Sequence, residues 1–310
     1  MAPDLADAER LLRERLGSRL RVAFPLAPLT SFRIGGPAAL FVEAEDDGAL
    51  EAVGDAAEQT GAPVLVIGKG SNVLVSDEGF AGIVVRLGRG YRWAGRDGGL
   101  LTAGGAMPLP ALAGIAMRHR LAGLEFGVAI PASLGGAVKM NAGAHGRSMS
   151  EVIERVDVYS LSRRARDSLS LGEAGFGYRR SGLPPGDIVV AAVARLEPGG
   201  EEVIRARMEE ARDWRRRTQP LAEPNCGSVF KNPDGDHAAR LIEAAGAKGL
   251  RIGGAQVSEK HSNFIVAGPG ASSSDVWELI EQVRALVESH AGVRLETEVE
   301  LMGAVGDADR

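Results

Sequence analysis

Apolar and polar positions alternate with a changing period along this chain, and the changes mark its elements. Leu5, Ala8, Leu12 and Leu16 share one helical face, with Asp4 able to cap the start and Gly17 to end it. After a connector marked by Pro25 and Pro28, the pattern predicts a strand over 39–44, a helix opened by Asp46 or Asp47, and a strand over 63–67. That order is a βαβ unit, which implies a small, partly parallel sheet with a glycine loop at its carboxyl end. Further strands are expected over 83–87, 156–161 and 188–196, and a hairpin pairing 91–93 with 100–103 around Asp97-Gly98-Gly99. Residues 109–120 and the heavily charged 201–217 read as helices. Beyond Pro220 the pattern becomes a short α+β unit: helix 237–245, strand 263–267, helix 274–290 and strand 293–302. The charged helix is the expected boundary between a cofactor module and a C-terminal domain.

Composition narrows the classes. The 310 residues fit two or three compact units, and 45% hydrophobic with 25% charged residues is ordinary for a globular protein. A net charge of −5 argues against nucleic acid as a partner. One cysteine, Cys226, excludes an internal disulfide and fits a reducing, cytoplasmic setting. Charges interrupt the N-terminal segment, so it is not expected to be a signal peptide, and no apolar run suits a membrane span.

Two glycine-rich segments are the most informative. Gly123-Leu-Glu-Phe-Gly-Val-Ala-Ile-Pro-Ala-Ser-Leu-Gly-Gly-Ala-Val-Lys-Met-Asn-Ala-Gly-Ala-His-Gly146 has little side-chain bulk, and a helix is expected to start near Gly135-Gly136 with amides free for an anion. Ile67-Gly-Lys-Gly-Ser-Asn-Val-Leu-Val75 places small residues between apolar runs. Its Gly68–Asn72 loop is neither a P-loop nor a dinucleotide fingerprint, yet its amides and Ser71 can cradle a phosphate as a backbone nest. Together the loops suit a cofactor carrying a diphosphate; tight turns with nothing bound are the plainer reading. Asn72 can take a left-handed backbone or bond a ligand, and Lys69 can simply be solvated.

In Asn225-Cys-Gly-Ser-Val-Phe-Lys-Asn-Pro233, Ser228 follows a glycine, as an exposed hydroxyl requires, though such serines are commonly turn residues. It lacks the context of a nucleophile but can protonate a strong base such as a carbanion. Cys226 is either a reactive thiol or a small buried hydrophobe. Lys231 and Asn232 suit a diphosphate. Arg179, after the flexible Gly175-Phe-Gly177, can fork onto a carboxylate or form a surface ion pair. Glu296, Glu298 and Glu300 alternate onto one face of a predicted strand. One of these carboxyls can enter a cleft, with its pKa raised by desolvation. The five histidines lack ligand spacing, so no metal is expected; His145 is a candidate ligand contact.

These motifs, with Thr30-Ser-Phe-Arg-Ile-Gly-Gly36, Tyr178-Arg179, Gly254-Ala-Gln-Val-Ser258, His261-Ser-Asn-Phe-Ile265 and Leu295-Glu-Thr-Glu-Val299, occur in an order that resembles the UDP-N-acetylenolpyruvoylglucosamine reductases of bacterial peptidoglycan synthesis. The resemblance runs from about Thr30 to Gly303. It implies an α+β fold: an N-terminal helix (1–20), an FAD-binding domain of the vanillyl-alcohol oxidase (PCMH) type over 21–200 with subdomains 21–88 and 89–200, and a C-terminal substrate domain over 201–310 with a long linking helix. It implies non-covalent FAD, NADPH as reductant, a sugar-nucleotide substrate and a cytoplasmic monomer. Ser228 would be the proton donor, and Arg179 and Glu298 would stabilise the substrate carboxyl group. The cofactor would lie on Arg33, Gly68, Lys69, Gly70, Ser71, Asn72, Gly123, Ile130, Pro131, Ser133, Gly135, Gly136, Asn141, Ala142 and Gly143. Tyr178, Lys231, Asn232 and Gln256 would hold the substrate.

The chain departs from the family pattern at Ala132, where glycine commonly follows the proline, and at His145, where tyrosine is frequent. It lacks an extra tyrosine-bearing loop, which places it with the shorter subtype. Two rivals are weaker. An oxidase on the same scaffold often tethers its flavin through a histidine, which Ser71-Asn72-Val73 does not offer. A non-enzymatic nucleotide-binding module leaves Arg179, Ser228 and Glu298 without a role.

Overall fold

The computed structural model describes residues 3–305, which divide into two compact units. Neither unit is one continuous piece of chain. Among the described residues the first comprises 3–22, 40–69 and 82–214, and the second 23–39, 70–81 and 215–305.

In the first unit, helix Leu5–Leu16 is capped by Asp4, which accepts from the Asp7 amide, and it buries Ala8, Leu12 and Leu16. It packs on helix Asp47–Thr60, which starts at the Asp46 cap and stops at Gly61, where φ is +68°. Most of a four-stranded sheet also belongs to this unit, with 23–25, 37–39 and 80–81 of its strands counted in the second; its order is Leu20–Pro25, Pro37–Ala44, Phe80–Leu87, Val64–Val66, and its last pair is parallel. The crossover from Pro37–Ala44 to Val64–Val66 therefore skips one place, which Phe80–Leu87 fills. A second sheet is antiparallel throughout, in the order Ala165–Ser170, Ile153–Ser160, Asp187–Arg195, Leu100–Gly104, Ala94–Asp97. Its central strand Asp187–Arg195 is buried up to Arg195, which explains its unbroken apolar run.

The hairpin expected from 91–93 starts instead at Ala94. Tyr91 closes a short 3₁₀ turn because Glu45 holds the preceding residues: its carboxylate accepts from the Gly90 amide at 2.7 Å, and a Cβ on Gly90 would lie 1.8 Å from the Glu45 carbonyl oxygen.

In the second unit, Arg251–Ile252, Ala255–Val257 and Ile265–Ala267 form an antiparallel sheet. Against it lies helix Ser273–Ala291, opened by a Ser272/Asp275 capping box and closed at Gly292, and helix Ala238–Ala244 packs on that helix. Phe32, Leu74, Phe230, Leu279 and Leu295 sit in its core. Val73–Val75 pairs in parallel with Glu300–Met302. The strand expected over 293–302 is thus regular only at its end. Before it the extended chain changes partner, with Thr297 bridged to Phe230 and the Glu298 amide donating to the Val229 carbonyl at 2.7 Å. Among the described residues, no helix is long and apolar enough to cross a membrane.

Candidate active site

The two glycine-rich segments meet. A Cβ on Gly68 would lie 2.7 Å from Ser133 Oγ, and one on Gly136 would lie 3.4 Å from the same oxygen. Ser133 caps helix Leu134–Lys139, accepting from the Gly136 amide. The helix start differs from expectation, because its first amides are engaged. Leu134 donates to the Met107 carbonyl at 2.8 Å and Gly135 to Gly105 at 2.9 Å. Gly135 is small because a Cβ there would come within 2.9 Å of the Val189 carbonyl oxygen. The Gly68–Asn72 loop is the opposite case. None of its main-chain amides donates to another described residue, and Gly70 turns it with φ of +60°. Such a run of bare amides around a left-handed glycine is an anion nest.

The same alanine-glycine stretch builds the arginine site. Gly177 and Arg180 close a turn through a 3.0 Å amide-to-carbonyl bond, which leaves Arg179 at its tip with φ of +53°. A Cβ on Gly143 would lie 2.9 Å from Arg179 Nη1, so the glycine makes room for the guanidinium, which stands 5.2 Å from the exposed Tyr178 ring. Buried Asn141 fixes this turn: its Nδ2 donates to the Gly177 carbonyl at 2.8 Å, while its Oδ1 accepts from the Ser150 amide at 2.9 Å. Lys139 donates to the Leu183 and Pro184 carbonyls just beyond it. His145 stacks edge-on to Trp214 at 5.1 Å. Gly123, at φ of +120°, donates to Glu125 at 2.7 Å; Ile130 and Ala142 are half-buried, and Pro131 is exposed.

In the second unit, Gly227, at φ of +84°, donates to Asn225 Oδ1 at 3.0 Å and turns the chain so that Ser228 is half-buried. The Ser228 hydroxyl makes no hydrogen bond with a described residue. Glu298 joins it through the main chain, its amide on Val229 and its carbonyl accepting from Asn72 Nδ2 at 2.9 Å. The three glutamates do not share one environment: Glu298 is half-buried, whereas Glu296 and Glu300 are exposed. Glu296 pairs with Lys231 at 2.5 Å. Asn232 accepts from the Ala238 amide at 3.0 Å and caps that helix, Gln256 reaches the Gly249 carbonyl at 3.4 Å, and Arg33 is exposed at φ of +60°.

Cys226, two residues before Ser228, is 2% exposed, and burial foremost, with Glu298 adding to it, pushes its thiol far above the ordinary range. A thiol so held stays protonated and shielded through mildly alkaline pH. Dithionitrobenzoate is therefore expected to label it only after unfolding, and rapid labelling of the native protein would contradict the structure.

No cluster of three metal-ligating side chains occurs among the described residues. The model of the UDP-N-acetylenolpyruvoylglucosamine reductase C-terminal domain matches residues 219–302, and that of an FAD-binding domain matches 38–161. UDP-N-acetylenolpyruvoylglucosamine reductase 2 of Symbiobacterium thermophilum is 46% identical over 92% of this chain and 92% of its own. The crystal structure of the Thermus caldophilus reductase superposes with a TM-score of 0.79 at 38% identity, covering 92% of this chain and 98% of that one. The chain belongs to the UDP-N-acetylenolpyruvoylglucosamine reductase family. A berberine bridge enzyme variant, at 14% identity and a TM-score of 0.50 over 63% of this chain and 44% of that one, shares the fold alone.

As a member of that family the chain is an FAD-dependent oxidoreductase, with an FAD-binding domain and a C-terminal reductase domain. Its residues fit the cofactor. The Gly68–Asn72 amides have no acceptor among the described residues, and Gly68 leaves room for Ser133, so a diphosphate meets donors rather than side chains. The motif His261-Ser-Asn-Phe-Ile265 shows no role of its own in the sequence. Its Asn263, 4% exposed, binds the main chain beside Ser228.

Proposed function

We propose that this reductase uses NADPH to convert the enolpyruvyl group of UDP-N-acetylglucosamine enolpyruvate to the lactyl ether, giving UDP-N-acetylmuramate for peptidoglycan. Bound FAD would supply the hydride-transfer chemistry, its diphosphate held by the Gly68–Asn72 amides with Ser133 beside Gly68. A hydride delivered to the methylene carbon of the enol ether would send the electron pair through the alpha carbon into the carboxylate. Arg179 meets the growing charge with a guanidinium that can fork onto both oxygens, and a protonated Glu298 donates a hydrogen bond to the same group. Ser228 delivers the proton to the alpha carbon, so H⁻ and H⁺ add across one double bond. Lys231 holds the substrate diphosphate; its exposed partner Glu296 is easily displaced, since a solvated ion pair contributes about 0–1 kcal/mol.

One observation carries the assignment of the donor: the Ser228 hydroxyl bonds to none of the described residues, while its main chain and that of Glu298 converge on Val229. The test is a pair of anaerobic half-reactions. NADPH is expected to bleach the flavin absorbance, and the enolpyruvyl sugar nucleotide to restore it. Reduced flavin that ignores that substrate would overturn the proposal. The absence of a longer tyrosine-bearing loop supports placing the chain in the shorter subtype.

A further inference from the structure

We infer that Asn263 is a positioning residue for Ser228; the inference rests on the reading of Ser228 as proton donor. Asn263 grips the chain beside Ser228 at three points. Its Oδ1 accepts from the Phe230 amide at 3.0 Å, its Nδ2 donates to the Phe230 carbonyl at 2.8 Å, and its own carbonyl accepts from the Val229 amide at 2.9 Å. A carboxamide presents a donor and an acceptor side by side, so it pairs with Phe230 as a neighbouring strand would. No carbon side chain does this, and Phe230, 2% exposed, has no water to turn to. Asn263 is itself held, its amide donating to His261 Nδ1 at 3.3 Å and the turn closing through Phe264 N to the His261 carbonyl at 2.9 Å. On the other side of Ser228, Asn225 Oδ1 fixes Gly227. The hydroxyl thus depends for its place on bonds made by the residues around it.

The test is Asn263→Asp, which keeps the acceptor for the Phe230 amide but turns the donor into an oxygen facing the Phe230 carbonyl, alongside Asn263→Ala, which removes both. Flavin content and bleaching by NADPH are expected to be unchanged. Reoxidation by the enolpyruvyl sugar nucleotide should slow by about 10–100-fold, as displacing a reacting group by an ångström does. KM should hold, and the solvent deuterium isotope effect on reoxidation should rise as proton delivery becomes limiting. Amide exchange at Val229 and Phe230 should quicken. Folded variants that reoxidise at the wild-type rate would overturn the inference. So would equal slowing of both half-reactions, or failure of both variants to fold, since each marks a general structural role. If the wild type itself does not respond to the sugar nucleotide, the functional reading falls instead. Exchange at Val229 and Phe230 then still decides whether Asn263 holds the segment.

Discussion

Ser228→Ala is expected to leave reduction of the flavin by NADPH intact and to slow its reoxidation by the enolpyruvyl sugar nucleotide by about 10²–10⁴-fold. The hydroxyl bonds to none of the described residues, so alanine strands no partner among them, and the fold should tolerate it. What disappears is the proton source at the alpha carbon. The neighbouring thiol is no substitute, being buried with its proton held tightly. Stopped-flow absorbance of the two half-reactions separates the effects. An equal loss in both would mean that Ser228 shapes the site, and no loss in either would remove it from the chemistry.

Gly70→Ala is expected to produce protein with little flavin and a clearly lowered unfolding midpoint. A Cβ on Gly70 would lie 2.1 Å from the Leu29 carbonyl oxygen and 2.8 Å from Thr30 Cα, and both are main chain, which yields only if the loop moves. The φ of +60° adds a conformational penalty of about 1–2 kcal/mol. With overpacking of about 1–3 kcal/mol, the total is about 2–5 kcal/mol. Movement would also break the bonds from Ser31 N and Oγ to the Gly70 carbonyl, at 2.9 and 3.3 Å, and scatter the bare amides. Gly235→Ala is the control: its φ is +76° with nothing within 4 Å of a Cβ, so only the conformational penalty should appear. Flavin-to-protein absorbance and thermal melts read both. Full flavin in Gly70→Ala would show that the loop is not a cradle.

Elements with strong periodicity were legible in the sequence. Leu5–Leu16 and Ser273–Ala291 carry both an apolar face and caps, and two independent signals agree. The strand Ala165–Ser170 was invisible because it lies at a sheet edge with no buried residue, so nothing forced apolar alternation on Ala-Arg-Asp-Ser-Leu-Ser. The stretch before Glu300 alternates correctly, Leu295 and Val299 lying buried. However, alternation reports side-chain direction and not which strand accepts the hydrogen bonds.

In the site, the order of motifs revealed the family, but side-chain partners were not legible. Asn72, Asn141 and Asn232 stood out as ligand contacts, yet each engages the main chain: Glu298, Gly177 with Ser150, and Ala238. A carboxamide in a glycine-rich loop reads the same whichever partner it finds. The free helix start near Gly135 failed for a similar reason, since the carbonyls of Gly105 and Met107 that occupy its amides lie in a different part of the chain.

The parallel pairing of Val73–Val75 with Glu300–Met302 bears on how the protein is made. Asn72 and Glu298, joined at the edge of that pair, are 226 residues apart in sequence. On the ribosome the early segment emerges long before its mate, so the nest-bearing loop must wait, half-finished, through most of translation. Its apolar Val-Leu-Val run is then an exposed edge for that whole interval. Slow elongation late in the message would therefore tax solubility more than slow elongation early.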